Sequence, residues 1–199
     1  ETARGAGPRT GMDAGRARQG PPLGPSPALA PPAHAAAPAA SAPGPGERSF
    51  IMVKPDGVAR GLVADVAARF EARGFKLVAC RMLRPTAALA EAHYAEHKGK
   101  PFFPKLVTFL SSGPVLGMVW EGRGVIATSR AMIGATNPAA AATGTIRGER
   151  AIDTGRNVVH GSDSQSAAER EIALWFPRQG DVVDWARPGD EWVHEKEAA

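Results

Sequence analysis

The chain has 199 residues, a formal net charge of +4 and 43% hydrophobic residues, which suits one globular domain with an appendage rather than two full domains. Its single cysteine, Cys80, excludes an internal disulfide and a thiolate zinc site. No apolar run reaches the length of a membrane span, and the basic residues are scattered rather than gathered into the stripe of a nucleic-acid binder.

Residues 1–46 contain no Phe, Trp, Tyr, Ile or Val and are dominated by Ala, Pro and Gly. Such a stretch buries too little apolar surface to offset its ordering entropy, so it reads as a flexible linker, a processed leader or a docking arm. Arg4, Arg9, Arg16 and Arg18 outnumber Glu1 and Asp13, as in an organelle transit sequence, although the prolines interrupt any continuous amphipathic helix. With Glu1 in place of an initiator Met, this points to a mitochondrial or plastid address, the alternative being cytoplasmic. Residues 47–199 read as the folded domain.

Within it, SFIMVKP (Ser49–Pro55) is a short apolar run ending at proline and reads as a buried strand. Leu62, Val66, Ala67 and Phe70 recur at helical spacing, with Gly74 as a stop. FKLVACRML reads as a second strand. TAALAEAHYAEHKG reads as a helix capped by Thr86 and stopped at Gly99. FFPKLVTFLSSG predicts a further helix, with Phe103 in the core, PVLGMVWEG a third strand and VIATSRAMIG a short helix. Between Ala135 and Arg150 no periodicity survives, which predicts a long loop. RNVVH reads as a brief fourth strand, and SQSAAEREIALWF as a helix starting with a Ser166/Glu169 capping box or one turn earlier at Ser164. Strands interleaved with helices in this order predict an α+β domain. The plan is ferredoxin-like: a four-stranded antiparallel sheet with covering helices on one side, and extra helices between the second and third strands.

The stretch NVVHGSDS (Asn157–Ser164) places His160 at a strand end, before a small-residue turn that opens a helix. Packing, metal ligation, a Ser/His/Asp site and nucleophilic attack are all open to it. The G-x-S-x-G elbow of a serine hydrolase is absent, and Ser162 and Asp163 lie too close in sequence to form a triad by adjacency. His93 and His97, at i and i+4, lack an H-E-x-x-H context and a third ligand, so they read as an exposed helix face. Chemistry is commonly carried where strands open into loops, and that is where His160 stands.

The motifs KPDGVARGLV, HYAEHKGKPFF, SGPVLGMVWEG, GATNP, GTIRG and GRNVVHGSDS occur in this order from about Glu47 to Glu195. With them the sequence resembles the nucleoside diphosphate kinases. The resemblance implies ping-pong transfer of a γ-phosphate, mainly from ATP, to a nucleoside diphosphate through a phosphohistidine on His160. Histidine suits the task because its neutral imidazole is abundant near pH 7 and its phosphorylated form is reactive. The resemblance further implies that Glu171 orients His160, with Ser162 helping. It assigns Lys54, Arg130 and Arg147 to the phosphates, with the Thr136 hydroxyl close by, and Asn157 and Lys54 to the ribose. It also implies that Phe102 stacks on the base with Tyr94 nearby, a mode that tolerates many bases because each has a π-face. Mg2+ is implied as a bridge between phosphate oxygens, held mainly by nucleotide and water, with Asp163 reaching it through water. A homohexamer is implied, or a tetramer. The alternative is a structural or docking subunit that uses the same domain and the N-terminal extension to bind a partner. The catalytic-loop and magnesium motifs of the protein kinases are absent.

Overall fold

A computed structural model describes residues 46–193. The expectations for the N-terminal extension, docking and organelle address alike, lie outside the described residues. Four strands form one antiparallel sheet in the order β2-β3-β1-β4: β1 is Arg48–Val53, β2 Lys76–Leu83, β3 Val115–Glu121 and β4 Val159–Gly161. That is the ferredoxin-like order expected. α1 (Pro55–Ala59) and α2 (Val63–Ala72) join β1 to β2, and α3 (Ala87–His93) and α4 (Phe103–Ser111) join β2 to β3. α5 (Val125–Ile133) and α6 (Ile146–Arg150) lead to β4, and α7 (Gln165–Trp175) follows it. No helix among the described residues is long and apolar enough to cross a membrane.

β1 is central and apolar at alternate positions on both of its faces, and that decides the layering. Ile51 and Val53 pack with Met118, Trp120, Phe70 and residues of α5 in one core. Phe50 and Met52 pack with Val119, Leu110 and Trp175 in another, under α3, α4 and α7. Helices therefore cover both faces of the sheet, not the single face expected. The alternation within SFIMV, every residue apolar after Ser49, is the reason: a strand exposed on one side would leave half of that run in water.

Three local expectations also change. The helix from Thr86 ends at His93, with Ala95–His97 in a 3-10 turn, because His93 is drawn into the core at 2% exposure. The predicted loop 135–150 contains α6, whose Thr145 hydroxyl accepts from the Gly148 amide at 3.1 Å. Five residues are too few to show a helical period, yet fully buried Ile146 anchors them. α1 was equally hidden, since it carries Pro55 at its start, where proline's missing N–H costs nothing, and Gly57 within. For α7 the structure selects Ser164 as the cap, its hydroxyl accepting from the Ala167 amide at 3.2 Å.

Phe70 is fully buried and stacked on Trp120 at 5.4 Å between centroids, far from β4 in sequence and on the other core from His160. Phe70→Ala is expected to lower the unfolding free energy by about 3–5 kcal/mol in urea titrations through lost transfer energy and a cavity. Its folded fraction keeps the site described next.

Candidate active site

β4 has only three residues, and its register against β1 sets where the histidine stands: Met52 lies opposite His160. Odd and even positions face opposite cores, so His160 projects to the α3/α4/α7 side, its ring 6.0 Å from that of Phe50. There its Nε2 meets Glu171 Oε1 at 2.9 Å. The second carboxylate oxygen of Glu171 accepts from the buried Ser162 hydroxyl at 2.6 Å, and that hydroxyl in turn accepts from the Phe50 amide at 3.2 Å. Glu171 is 3% exposed, so its orientation is locked by these bonds rather than by water. With Nε2 donating to a carboxylate, Nδ1 is left as the imidazole's lone-pair nitrogen.

His93 packs edge-on against His160 at 4.6 Å between centroids. Its Nδ1 accepts from the Trp175 indole at 3.3 Å. Burial, reinforced by His160 and Arg170, holds His93 well below the usual histidine range, so it stands neutral beside His160. Ligand atoms of His93, His160 and Glu171 lie within 4.8 Å of one another. The indole donor on His93 and the hydroxyl on Glu171 make this a hydrogen-bonded array in which the acceptors of His93 and Glu171 are already engaged.

His160 opens on a cavity of about 540 Å3, inside the roughly 300–1,000 Å3 of small-molecule sites. Lys54, Arg130, Arg147 and Arg156 all line it. The Lys54 ammonium donates to the Asn157 side-chain oxygen, and the Asn157 amide nitrogen donates to the Thr136 carbonyl at 2.8 Å. Burial lowers Lys54 to about 8; Asp56 opposes the shift, and Arg147 and Arg156 add to it. Arg147 is lowered to about 10, again chiefly by burial and then by Arg130. It is 4% exposed and donates to the carbonyls of Gly134 (3.0 Å), Val159 (2.8 Å) and Asn157 (3.4 Å). Three of its five N–H groups thus brace the walls, and its charge still faces the cavity. The Arg130 guanidinium reaches the Gly161 carbonyl at 3.4 Å. With Lys105, which also lines it, five cations around one concavity make a site for a polyanion.

At the mouth Phe102 is 48% exposed, edge-on to His97 at 5.6 Å, an open aromatic face of the kind that stacks on a base. Tyr94 is not beside it. His97 stands between them, and Tyr94 packs on His93, burial and then Glu171 raising its hydroxyl to about 12. All the expected residues but Ser162 line one cavity, and Ser162 stands behind it on its bond to Glu171. Sequence reasoning missed Arg156, Phe109 and the true place of His93. Phe109 carries the Arg156 guanidinium 4.1 Å over its ring and the Lys54 ammonium at 5.5 Å. The seven-residue spacing of Phe102, at the N-cap of α4, and Phe109 within that helix puts both on one side of it, a signal the sequence offered. His93 overturns the exposed-face expectation: periodicity cannot tell which face of α3 meets β4.

A family model described as nucleoside diphosphate kinase matches residues 47–180. A nucleoside diphosphate kinase of Carboxydothermus hydrogenoformans is 58% identical over 149 residues, 75% of this chain and 99% of that protein. One from Saccharomyces cerevisiae is 56% identical, covering 75% and 97%. Among solved structures, a halophilic nucleoside diphosphate kinase from Halobacterium salinarum in complex with CDP superposes with a TM-score of 0.73. It is 50% identical, over 75% of this chain and 99% of that one. A nucleoside diphosphate kinase family protein from Babesia bovis gives 0.72 at 46% identity.

Lys54 bears charge below pH 8 and loses it as pH rises through that value, because its shift is downward. A phosphate-bearing ligand stabilises the charged form. Calorimetric titration with ADP at pH 8.5 is therefore expected to show proton uptake on binding and weaker affinity than at pH 7, and Lys54→Met to lose the proton uptake.

Proposed function

This chain belongs to the nucleoside diphosphate kinase family, a family of phosphotransferase enzymes acting on nucleotides, and from that premise we propose that His160 carries the phosphoryl group between donor and acceptor. The observation that carries this is the pairing of His160 Nε2 with a buried, doubly held carboxylate at 2.9 Å, beside a cation-lined cavity.

Nδ1 attacks the γ-phosphorus of a nucleoside triphosphate. The Nδ1–P bond forms as the bond to the bridging β-phosphate oxygen breaks, and its electrons leave with the diphosphate. The imidazole gains positive charge in this step, and Glu171 stabilises it through Nε2–H while Ser162 prevents the carboxylate from swinging away. A different nucleoside diphosphate then occupies the same cavity and takes the phosphoryl group by the reverse displacement. Lys54, Arg130 and Arg147 offset charge on the transferring oxygens, which is where most phosphoryl-transfer catalysis originates. Thr136, in the same cavity lining, adds a hydroxyl for the phosphates. Asn157, tethered between Lys54 and Thr136, meets the ribose with Lys54. Phe102 stacks on the base, a contact blind to base identity, and the CDP in the Halobacterium salinarum relative supports a site open to pyrimidines.

Nucleotide kinases generally work with a divalent cation. Of the cavity's carboxylates Glu171 is engaged, leaving Asp163 and Glu96, too few for a protein cage. That donor set fits Mg2+ arriving with the nucleotide, and Asp163 is the residue that would help to hold it. When bound it would supply neutralisation of the phosphate charge.

Membership of the family carries the expectation of a homohexamer, and exposed apolar side chains such as Met82 on edge strand β2 (56%) and Trp192 (89%) are available to be covered in one. Light scattering behind size exclusion is expected to give six times the subunit mass, and a monomer would overturn this. For the chemistry, incubation with ATP should add one acid-labile phosphate, absent from His160→Ala, and the protein should make GTP from ATP and GDP. Glu171→Ala should slow the phosphorylation of His160 on the order of 10²-fold. Equal GTP formation by wild type and His160→Ala would leave the docking-subunit alternative standing.

A further inference from the structure

Among the described residues Val158 is the one non-glycine with positive φ, at 68°. A β-branched side chain is strained there, and such strain persists only where the surroundings over-determine it. The Val159 amide donates to the Asn157 carbonyl at 2.7 Å, closing a three-residue γ-turn about Val158. On one side of that turn is Asn157, on the other, two residues on, His160.

The surroundings that hold it come from the KPDG segment. The Lys54 amide donates to the Val158 carbonyl at 2.8 Å. The Val158 amide donates to Asp56 Oδ2 at 2.9 Å. Gly57 passes beneath, where a Cβ would stand 2.9 Å from the Val158 carbonyl oxygen and 2.7 Å from Val53 Cγ1. Val158 is fully buried, so water cannot substitute for either bond. The second oxygen of Asp56, Oδ1, is buried with no hydrogen-bond partner among the described residues. A carboxylate kept half-unpaired is costly, and the bond it does make is to the strained turn.

We propose that Asp56 is a positioning residue: its carboxylate clamps the Val158 amide in the strained turn and so fixes the spacing of Asn157 and His160 in the cavity. The inference rests on the reading of His160 as the phosphate carrier. A rival role is electrostatic, because Asp56 also favours the charge on Lys54. The two separate cleanly. An asparagine keeps an oxygen that can accept from Val158 N–H but carries no charge. A glycine at 158 adopts positive φ without strain and no longer needs the clamp.

Rapid-quench measurement of His160 phosphorylation by ATP, on the full chain, tests this. Asp56→Ala is expected to slow the step by roughly ten- to a hundredfold, the scale of a small misplacement of reacting groups. Asp56→Asn should recover most of that loss, and Val158→Gly should restore much of the rate in the Asp56→Ala background despite deleting buried apolar surface. An Asn variant as slow as the Ala variant would overturn the clamp in favour of charge. So would an Asp56→Ala variant at the wild-type rate, or a double variant no faster than Asp56→Ala. If Asp56→Ala does not fold, the Asn variant and hydrogen exchange at the Val158 amide decide: protection kept in Asp56→Asn upholds the clamp, and protection lost removes it. A wild type that takes no phosphate on His160 overturns the functional reading and the proposal with it, whereas a normally phosphorylated wild type with an indifferent Asp56 overturns only the proposal.

Discussion

The pairing of β4 with β1, Met52 opposite His160, is the constraint on which the site depends. A slip of one residue would turn the imidazole into the opposite core, since strand side chains alternate faces. Three residues of strand give little pairing energy of their own. The register is held instead at both ends: by the Lys54 amide on the Val158 carbonyl at one, and by the Ser162 amide on the Phe50 carbonyl, 3.0 Å, at the other. The same Ser162 supports Glu171. The bond network that sets the register is thus continuous with the one that orients the histidine.

The cavity is costly to build. Lys54 and Arg147 are buried cations within reach of each other's fields, and both are pushed toward their neutral forms by burial. The protein manages the repulsion with neutral acceptors and an aromatic face. Arg147 is spent on backbone carbonyls, Lys54 on the Asn157 oxygen, and Phe109 lies under both Arg156 and Lys54. Such an array is preorganised for a polyphosphate: its charges are already in place, and an anion relieves the stress that assembling them imposed. His93, buried and neutral, completes the design by giving His160 an aromatic wall without adding another positive charge.

Much of this was legible in the chain. Strands with β-branched and apolar runs stood out because their period is two, and α2 and α7 because theirs is near four. The short α1 and α6 escaped because five residues hold barely one turn. Phe50 and Met52 on one side and Ile51 and Val53 on the other were readable as a doubly buried strand, yet a single-sided sheet was expected because alternation alone does not say how many helices return to each face. Ordered motifs located His160, Glu171, Ser162, Lys54, Arg130 and Asn157 as candidates. Nothing in their spacing located Arg156 over Phe109 or His93 behind His160, since those meetings join elements dozens of residues apart.

By itself the sequence determined which segments form strands, where the longer helices lie and which side chains are candidates for the chemistry, because propensity, hydrophobic period and residue type are local properties of the chain. Only the tertiary structure decided that both sheet faces are covered. It alone decided that Arg147 braces as much as it offers, that Tyr94 belongs beside His93, and that a buried valine is bent into positive φ at the start of the strand that carries His160. These are outcomes of close packing between distant elements. A local preference such as valine's aversion to positive φ yields there to a clamp of hydrogen bonds that no stretch of sequence displays on its own.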